Sequence, residues 1–141
     1  MMRRGLTVAE LALVMAIMGT LLGIAIPRAA RLLDRIRVAG ASAEISASFA
    51  TARNGAIARS ERVAVTIDSV QGALTVRAGD DTLEHRPLAR SHGVRVEATR
   101  DSMSYRSDGL GYGAANLRLI VSRGSAADTI TVSRLGRVRR R

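Results

Sequence analysis

The sequence contains no cysteine, no tryptophan and no lysine. Without cysteine there is no disulfide framework, and thiolate nucleophiles and cysteine-bound zinc are excluded. That absence leaves the compartment open. Aromatic residues make up 2% of the chain. A core must therefore be assembled from Val, Ile, Leu and Ala, and single-stranded nucleic acid would find few rings to stack on. All 22 basic residues are arginine, set against 12 acids, for a formal charge of +10. Such a balance favours anionic partners: phospholipid headgroups, nucleic acid or acidic protein surfaces. A GC-rich codon bias would give the same arginine usage with no functional meaning.

Groups able to carry chemistry are also sparse. His85 and His92 with Ser91 and Asp80 or Asp101 are the residue types of a hydrolytic triad, but no nucleophile motif surrounds them. The run Gly109-Leu110-Gly111-Tyr112-Gly113 looks like a phosphate loop. No helical pattern follows it to supply amide donors, so it reads as a flexible connection between strands. Metal-ligand spacings are missing too. The expectation is a protein that is not an enzyme, with no cofactor, no metal and no small-molecule substrate.

With 141 residues there is room for one domain. If one apolar helix is committed to lipid, roughly 80–110 residues remain, near the lower end of what folds alone. Such a helix is present. Residues 11–26 carry no charge, and residues 6–26 contain only Glu10. As a helix that stretch spans about 30 Å, the hydrocarbon thickness of a bilayer. Gly19 and Gly23 form a small-xxx-small pair that lets helices approach closely. A cleaved secretory signal would have a shorter apolar run, with Gly23-Ile24-Ala25 as a weak site. A plain anchor does not explain Glu10, since a carboxylate in lipid costs a few kcal/mol. Thr7-Val8-Ala9-Glu10 also fits a capping box at a helix start. Arg3 and Arg4 precede the span, whereas Arg28, Arg31, Arg35 and Arg37 follow it against Asp34 alone. Counting arginines by the positive-inside rule would put the C-terminal side in the cytoplasm.

Gly5, Leu6, Thr7, Val8-Ala9, Glu10 and Pro27 together resemble the signature of type IV prepilins: a basic leader ending in Gly, then an apolar residue, Thr, two apolar residues, Glu and a hydrophobic helix reaching Pro. Glu10 lies four residues after Leu6 and Pro27 seventeen after Glu10, both family spacings. Leu6 replaces the commoner Phe or Met but stays apolar. The resemblance implies cleavage by a membrane prepilin peptidase between Gly5 and Leu6 and N-methylation of Leu6. It implies pairing of the Glu10 carboxylate with the freed amine of a neighbouring subunit. It also implies a leader inside the cell and a domain outside, opposite to the arginine count.

Past Pro27, which would kink the helix or mark its exit from the membrane, the positions Leu33, Ile36, Gly40, Ala43, Ala47, Ala50, Asn54 and Ile57 recur at alternating steps of three and four. They predict a narrow amphipathic stripe packing on a sheet. Asp34, with Arg31 and Arg37 three residues either side, reads as a solvated face. From Arg62 the period becomes two. Val63, Val65 and Ile67, then Leu74 and Val76 beyond residues 68–72, predict a hairpin. Val94, Val96 and Ala98 predict a third strand, and residues 103–106 a short fourth. Leu117, Leu119 and Val121 pair with Ile130 and Val132 around a turn at residues 122–128. A last strand includes Leu135 and Val138, and residues 78–93 read as a loop or edge strand. The fold class expected is α+β, a long N-terminal helix (transmembrane half plus amphipathic half) packed on a small antiparallel β-sheet domain. Residues 1–5 form the leader, 6–27 the transmembrane helix, 28–59 the amphipathic continuation and 60–141 the β-rich domain with a basic tail.

Three later stretches sharpen the resemblance. Ala50-Thr51-Ala52-Arg53-Asn54-Gly55-Ala56-Ile57, Tyr105-Arg106-Ser107-Asp108-Gly109 and Gly136-Arg137-Val138-Arg139 are similar to the helix end, aromatic-to-glycine step and Gly-Arg-x-Arg finish of H-type minor pseudopilins and FimT-like minor pilins. That likeness implies a structural subunit of a type II secretion pseudopilus or, alternatively, a minor pilin of a type IV pilus. Its partners would be other pilins or pseudopilins along the N-terminal helix, prepilin peptidase and the bacterial inner membrane, crossed once with the C-terminal domain in the periplasm. Arg134, Arg137, Arg139, Arg140 and Arg141 crowd the C-terminal end. They read either as a frayed, solvated tail or as a contact for DNA, anionic lipid or an acidic surface, with a strong salt dependence if DNA is the partner. Mass spectrometry of the assembled protein is expected to find a chain beginning at methylated Leu6; an intact Met1 terminus would defeat the leader assignment.

Overall fold

The structure is a computed structural model of the chain and describes residues 7–112 and 116–141. Helix α1 (Val8–Arg59) runs through Pro27 without interruption. It contributes to two compact units, Met1–Leu33 and Asp34–Arg141. In the first, the apolar stretch has a mean hydropathy of 2.2 and none of it is buried. Leu11, Val14, Met15, Met18, Leu22 and Ile26 are all exposed. The helix is long and apolar enough to cross a membrane, and side chains apolar all round suit lipid or neighbouring helices as solvent.

In the second unit α1 buries Val38, Ala41, Ser42, Ile45, Ser48, Phe49, Ala52 and Ala56. The period is as expected, but the face is not. Leu33, Ile36, Ala43, Ala47, Ala50, Asn54 and Ile57 are exposed, and only Gly40 is half-buried. The buried face carries Val38, Ile45 and Phe49, while Ile36 and Ile57 on the other row stay exposed. Val38, Ile45 and Phe49 lie at steps of seven and four on one face, and between residues 41 and 52 filling the core with Ile45 and Phe49 removes more apolar surface than Ala43, Ala47 and Ala50 of the other row would.

Two sheets share that core, where the sequence suggested one. The first has the order β3-β2-β1-β5-β6 and the second β4-β7-β8-β9. Strands β1 (Val63–Asp68) and β2 (Ala73–Ala78) form the expected hairpin. Its turn is set by the Asp68 carboxylate, which accepts from the amides of Val70 and Gln71 at 2.9 and 2.8 Å, the local bonding that makes Asp a turn residue. Alternate residues Val63, Val65, Ile67, Leu74 and Val76 point inward. Residues 78–93 are resolved into an edge strand β3 (Asp81–Arg86) and a short helix α2 (Leu88–His92) that the sequence reading missed. Pro87 at its start and left-handed Gly93 at its end were the available signals, in keeping with the positions proline and glycine favour at helix ends.

Strand β4 (Arg95–Ala98) pairs with β7 (Leu117–Arg123), while β5 (Ser102–Tyr105) crosses to β1 of the other sheet and is flanked by the two-residue β6 (Gly111–Tyr112). The turn expected at residues 122–128 is shorter. Strands β7 and β8 (Ala126–Val132) continue to Arg123 and Ala126, leaving a two-residue loop. Gly124 begins that loop at φ +53°, a conformation for which two-residue hairpins recruit glycine. The C-terminal end is no frayed tail. Val138–Arg140 forms β9 on the edge of β8, while Leu135 lies in the preceding turn.

The corrected helix face makes a direct test. In urea unfolding of the full chain in detergent, Ala52→Leu is expected to cost about 1–3 kcal/mol by overpacking. Ala47→Leu, on the row first expected to be buried, is expected to stay within about 0.5 kcal/mol.

Candidate functional site

At the start of α1 the Thr7 amide and hydroxyl both donate to Glu10 Oε2, at 2.8 and 2.9 Å, and the Glu10 amide donates to Thr7 Oγ1 at 3.2 Å. This is the reciprocal capping box read from the sequence. Gly5 and Leu6, the cleavage and methylation positions, lie outside the described residues. Thr20 Oγ1 donates to the carbonyl of Ala16 at 2.8 Å, so this hydroxyl asks nothing of an apolar solvent. A Cβ added to Gly19 or Gly23 would meet nothing within 4 Å. Both positions are open to close approach by another helix.

The five C-terminal arginines do not form one surface. Arg134 lies in the turn before β9, its carbonyl accepting from the Gly111 amide at 2.8 Å. Arg137 lies in the same connection, its amide bonded to Ser133 Oγ at 3.2 Å. Arg139 pairs across from Thr131 and Arg140 from Ile130. Strand alternation therefore sends Arg140 to the inner face with Ile130 and Arg139 to the outer one. Arg140 Nε binds Asp128 at 2.7 Å. Arg141 extends the ladder, exchanging two backbone hydrogen bonds with Thr129 at 2.9 and 3.0 Å. Beside this edge lies a groove of about 440 Å³ lined by Arg35 of α1, Asp128, Arg140 and Arg141 among others. Arg35 entered the sequence reading only as a flanking charge.

Two further junctions were not visible in the sequence. Asp34, expected on a solvated face, is instead paired with Arg123 Nε at 2.8 Å and is largely covered. Arg123 also donates through Nη1 to the carbonyls of His92 and Gly93, at 3.1 and 2.7 Å. His92 Nε2 in turn meets Glu44 at 2.9 Å. One guanidinium thus ties the β7–β8 hairpin to α1 and to the end of α2. His85 is engaged by Thr75 Oγ1 at 3.0 Å on the first sheet, so the two histidines have separate partners and are not gathered around Ser91. Among the described residues no group of His, Asp and Glu has the arrangement of a metal site. The glycine run at residue 109 leads into strand β6, which supplies no helix N-terminus; its Gly113 lies outside the described residues.

The second junction joins the three stretches that carried the subfamily resemblance. Arg53 Nε donates to the Gly109 carbonyl at 3.1 Å. A Cβ on Gly136 would crowd both Arg53 Nε and that carbonyl oxygen at 3.2 Å, and its φ of +74° is one that side chains rarely adopt, so glycine suits the turn before β9. Tyr105, four residues before Gly109, is fully buried. Its burial pushes the phenol up to about 12, with Arg53 pulling weakly the other way.

The family described as type II transport protein GspH matches residues 41–136. The chain belongs to the GspH family. Among solved structures it is similar to the type IV minor pilin FimU of Pseudomonas aeruginosa, with 14% identity and a TM-score of 0.63 over 74% of this chain and 88% of that one. It is also similar to the minor pseudopilin EpsH of the Vibrio cholerae type 2 secretion system, with 14% identity and a TM-score of 0.58 over 74% of this chain and 96% of that one. At such identities the likeness is one of fold, and the fold is the expected α+β pilin type. No curated protein matches the chain. The GspH match begins at residue 41, so it is independent of the Gly5–Pro27 signature. Membership of that family makes the protein a structural subunit of the pilin and pseudopilin kind, a class whose members assemble with other pilin-type subunits.

The buried phenol gives the GspH-family domain an alkaline limit. Folding favours the neutral form of Tyr105, so its contribution is complete below pH 10 and is lost as pH rises from about 10 to about 12. The unfolding free energy of the full chain in detergent is expected to fall by roughly 2–3 kcal/mol across that interval. Tyr105→Phe is expected to remove this loss.

Proposed function

We propose that the protein is a minor pseudopilin of a type II protein secretion system, working by assembly and not by catalysis. The GspH-family match across the soluble domain carries this reading, and the prepilin signature supports it. On this reading residues 1–5 are removed and Leu6 is methylated by the prepilin peptidase. Residues 6–27 then hold the subunit in the inner membrane, with Pro27 marking the exit or a bend. Residues 28–59 continue the helix into a periplasmic domain formed with residues 60–141. During assembly the Glu10 carboxylate leaves Thr7 for the Leu6 amine of a neighbouring subunit, because in lipid an ionised acid gains most from a full opposite charge. The exposed apolar helix and the open Gly19 and Gly23 positions supply the lateral packing.

The likeness to FimU favours a second reading, a minor pilin of a type IV pilus that contacts DNA through Arg134, Arg137, Arg139, Arg140 and Arg141. Phosphate contacts alone would give such binding a steep salt dependence and little sequence preference. Deleting the gene separates the two. Folded exoproteins accumulating in the periplasm are expected for the pseudopilin, whereas normal secretion with lost transformation would overturn it in favour of the pilus.

A further inference from the structure

The turn that joins β1 to β2 carries an apolar residue where turns favour polar ones. Val70 stands at its tip with 97% of its surface exposed, more than any other large apolar side chain described in the Asp34–Arg141 unit. This knob is held in place. Asp68 binds the amides of Val70 and Gln71, and the Gly72 carbonyl accepts from the Ala89 amide of α2 at 2.9 Å. Beside the turn lies a groove of about 300 Å³, lined by Val70, Gly72 and Ala89 together with residues 94–97 at β4. Strand β4 ends the second sheet, and β7 is its one partner strand among the described residues. Arg95 and Glu97 are exposed and alternate with the buried Val94 and Val96, so both charged side chains share the outer face. Among the described residues neither has an ion-pair partner within the chain.

We infer that this edge is a homotypic contact, in which the groove receives the same turn of a second copy of the chain. A twofold interface uses one patch on both sides and must therefore carry its own complement. A rigid apolar knob beside a hollow, with one cation and one acid two residues apart, meets that demand. A twofold axis beside Val96 sets Arg95 of one copy opposite the partner's Glu97, twice over, and brings each Val70 to the other copy's groove. Opposite charges facing each other across neighbouring strands attract, and like charges repel. The chain as a whole carries a formal charge of +10, so most of its surface would repel a second copy. At β4 the charges balance. A nucleic acid would find no net positive charge there to neutralise its phosphates, and an acidic partner would meet Glu97 as a like charge. Holding Val70 in a fixed turn lowers the ordering cost of docking. One short strand and one turn make a small interface, in the range of transient contacts. Every group involved belongs to the Asp34–Arg141 unit, so the contact is the same whether the subunit serves a secretion system or a pilus.

The chain has no cysteine, so Gln71→Cys, at an exposed position beside Val70, supplies a single attachment point for a short bismaleimide. The test uses the full chain in zwitterionic detergent with micelles in excess. A crosslinked dimer is expected, and its yield should fall with salt. In the same background, Arg95→Glu alone and Glu97→Arg alone should each lower the crosslinked fraction about tenfold, because each sets like charges against one another twice. Arg95→Glu combined with Glu97→Arg should restore it, since the exchanged pair is complementary again. That recovery also separates a lost contact from a lost fold. Val70→Ser should lower the crosslinked fraction about tenfold by removing the apolar knob. At a side chain this exposed the change should leave the fold intact. A chain that gives no crosslinked dimer overturns the contact, and so does a double variant that fails to recover. Equal crosslinking in every variant would place the association elsewhere, such as along the apolar helix, and would also defeat it. So would crosslinking of residue 71 in intact cells to a different protein while the purified chain gives no dimer, which would mark the groove as the seat of a foreign partner.

Discussion

The soluble domain depends on one helix face. With no tryptophan, no disulfide and a single phenylalanine, the domain has few large groups to bury, and Phe49, Ile45 and Val38 all lie on the same side of α1. Between them are Ala41, Ser42, Ser48, Ala52 and Ala56, small enough for two sheets to reach the backbone. Ser48 also bonds Glu84 of the edge strand at 3.0 Å, which gives a buried hydroxyl its partner and holds β3 in place. Removing a group from this face leaves a cavity that neither sheet can close alone. Substitutions on the opposite row act on a surface.

Much of this was legible in the chain, and the failures have physical reasons. The prepilin-like spacing and the capping box depend on residues within a few turns of each other, and local chemistry is what a sequence displays. Period-two alternation located β1, β2, β7 and β8 because each has one wet and one dry face. The helix face was misjudged because α1 is rich in alanine and serine on both sides, so periodicity could not separate Ala43, Ala47 and Ala50 from Ala41, Ala52 and Ala56. Phe49 and Ile45 mark the buried side in the middle of the stretch, and Ile36 and Ile57 on the other row stay exposed. The division into two sheets turns on which strand β4 meets, a non-local pairing that alternation does not encode. Asp34 and Arg123 stand 89 positions apart, and nothing near either one announces the other. Arg53, Gly109 and Gly136 were visible as separate family-like stretches, and folding turned them into one junction.

Two kinds of recognition meet in the functional reading. The GspH match covers the soluble domain and the prepilin-like signature covers the membrane helix, so neither borrows from the other. The neighbours FimU and EpsH belong to a pilus and a secretion system respectively, and the same scaffold serves both. Fold does not choose between machines. What distinguishes one subunit from another must lie on the exposed surfaces, and on this domain the most individual surface is the arginine-rich edge at β9.

The capping box at the start of α1 has a further consequence for how such a subunit waits. Thr7 lies beyond the proposed cut, so a chain cut there would keep both partners. A lone helix in the bilayer then has its acid satisfied by its own backbone and hydroxyl. On the proposed reading, joining a neighbour would be an exchange, two intrachain hydrogen bonds surrendered for one ion pair, so the net gain is less than the ion pair alone would give. Glu10 would then set the register of an incoming subunit more than its affinity. A reserve of dispersed subunits could persist in the membrane until contacts between soluble domains tip the balance toward the filament.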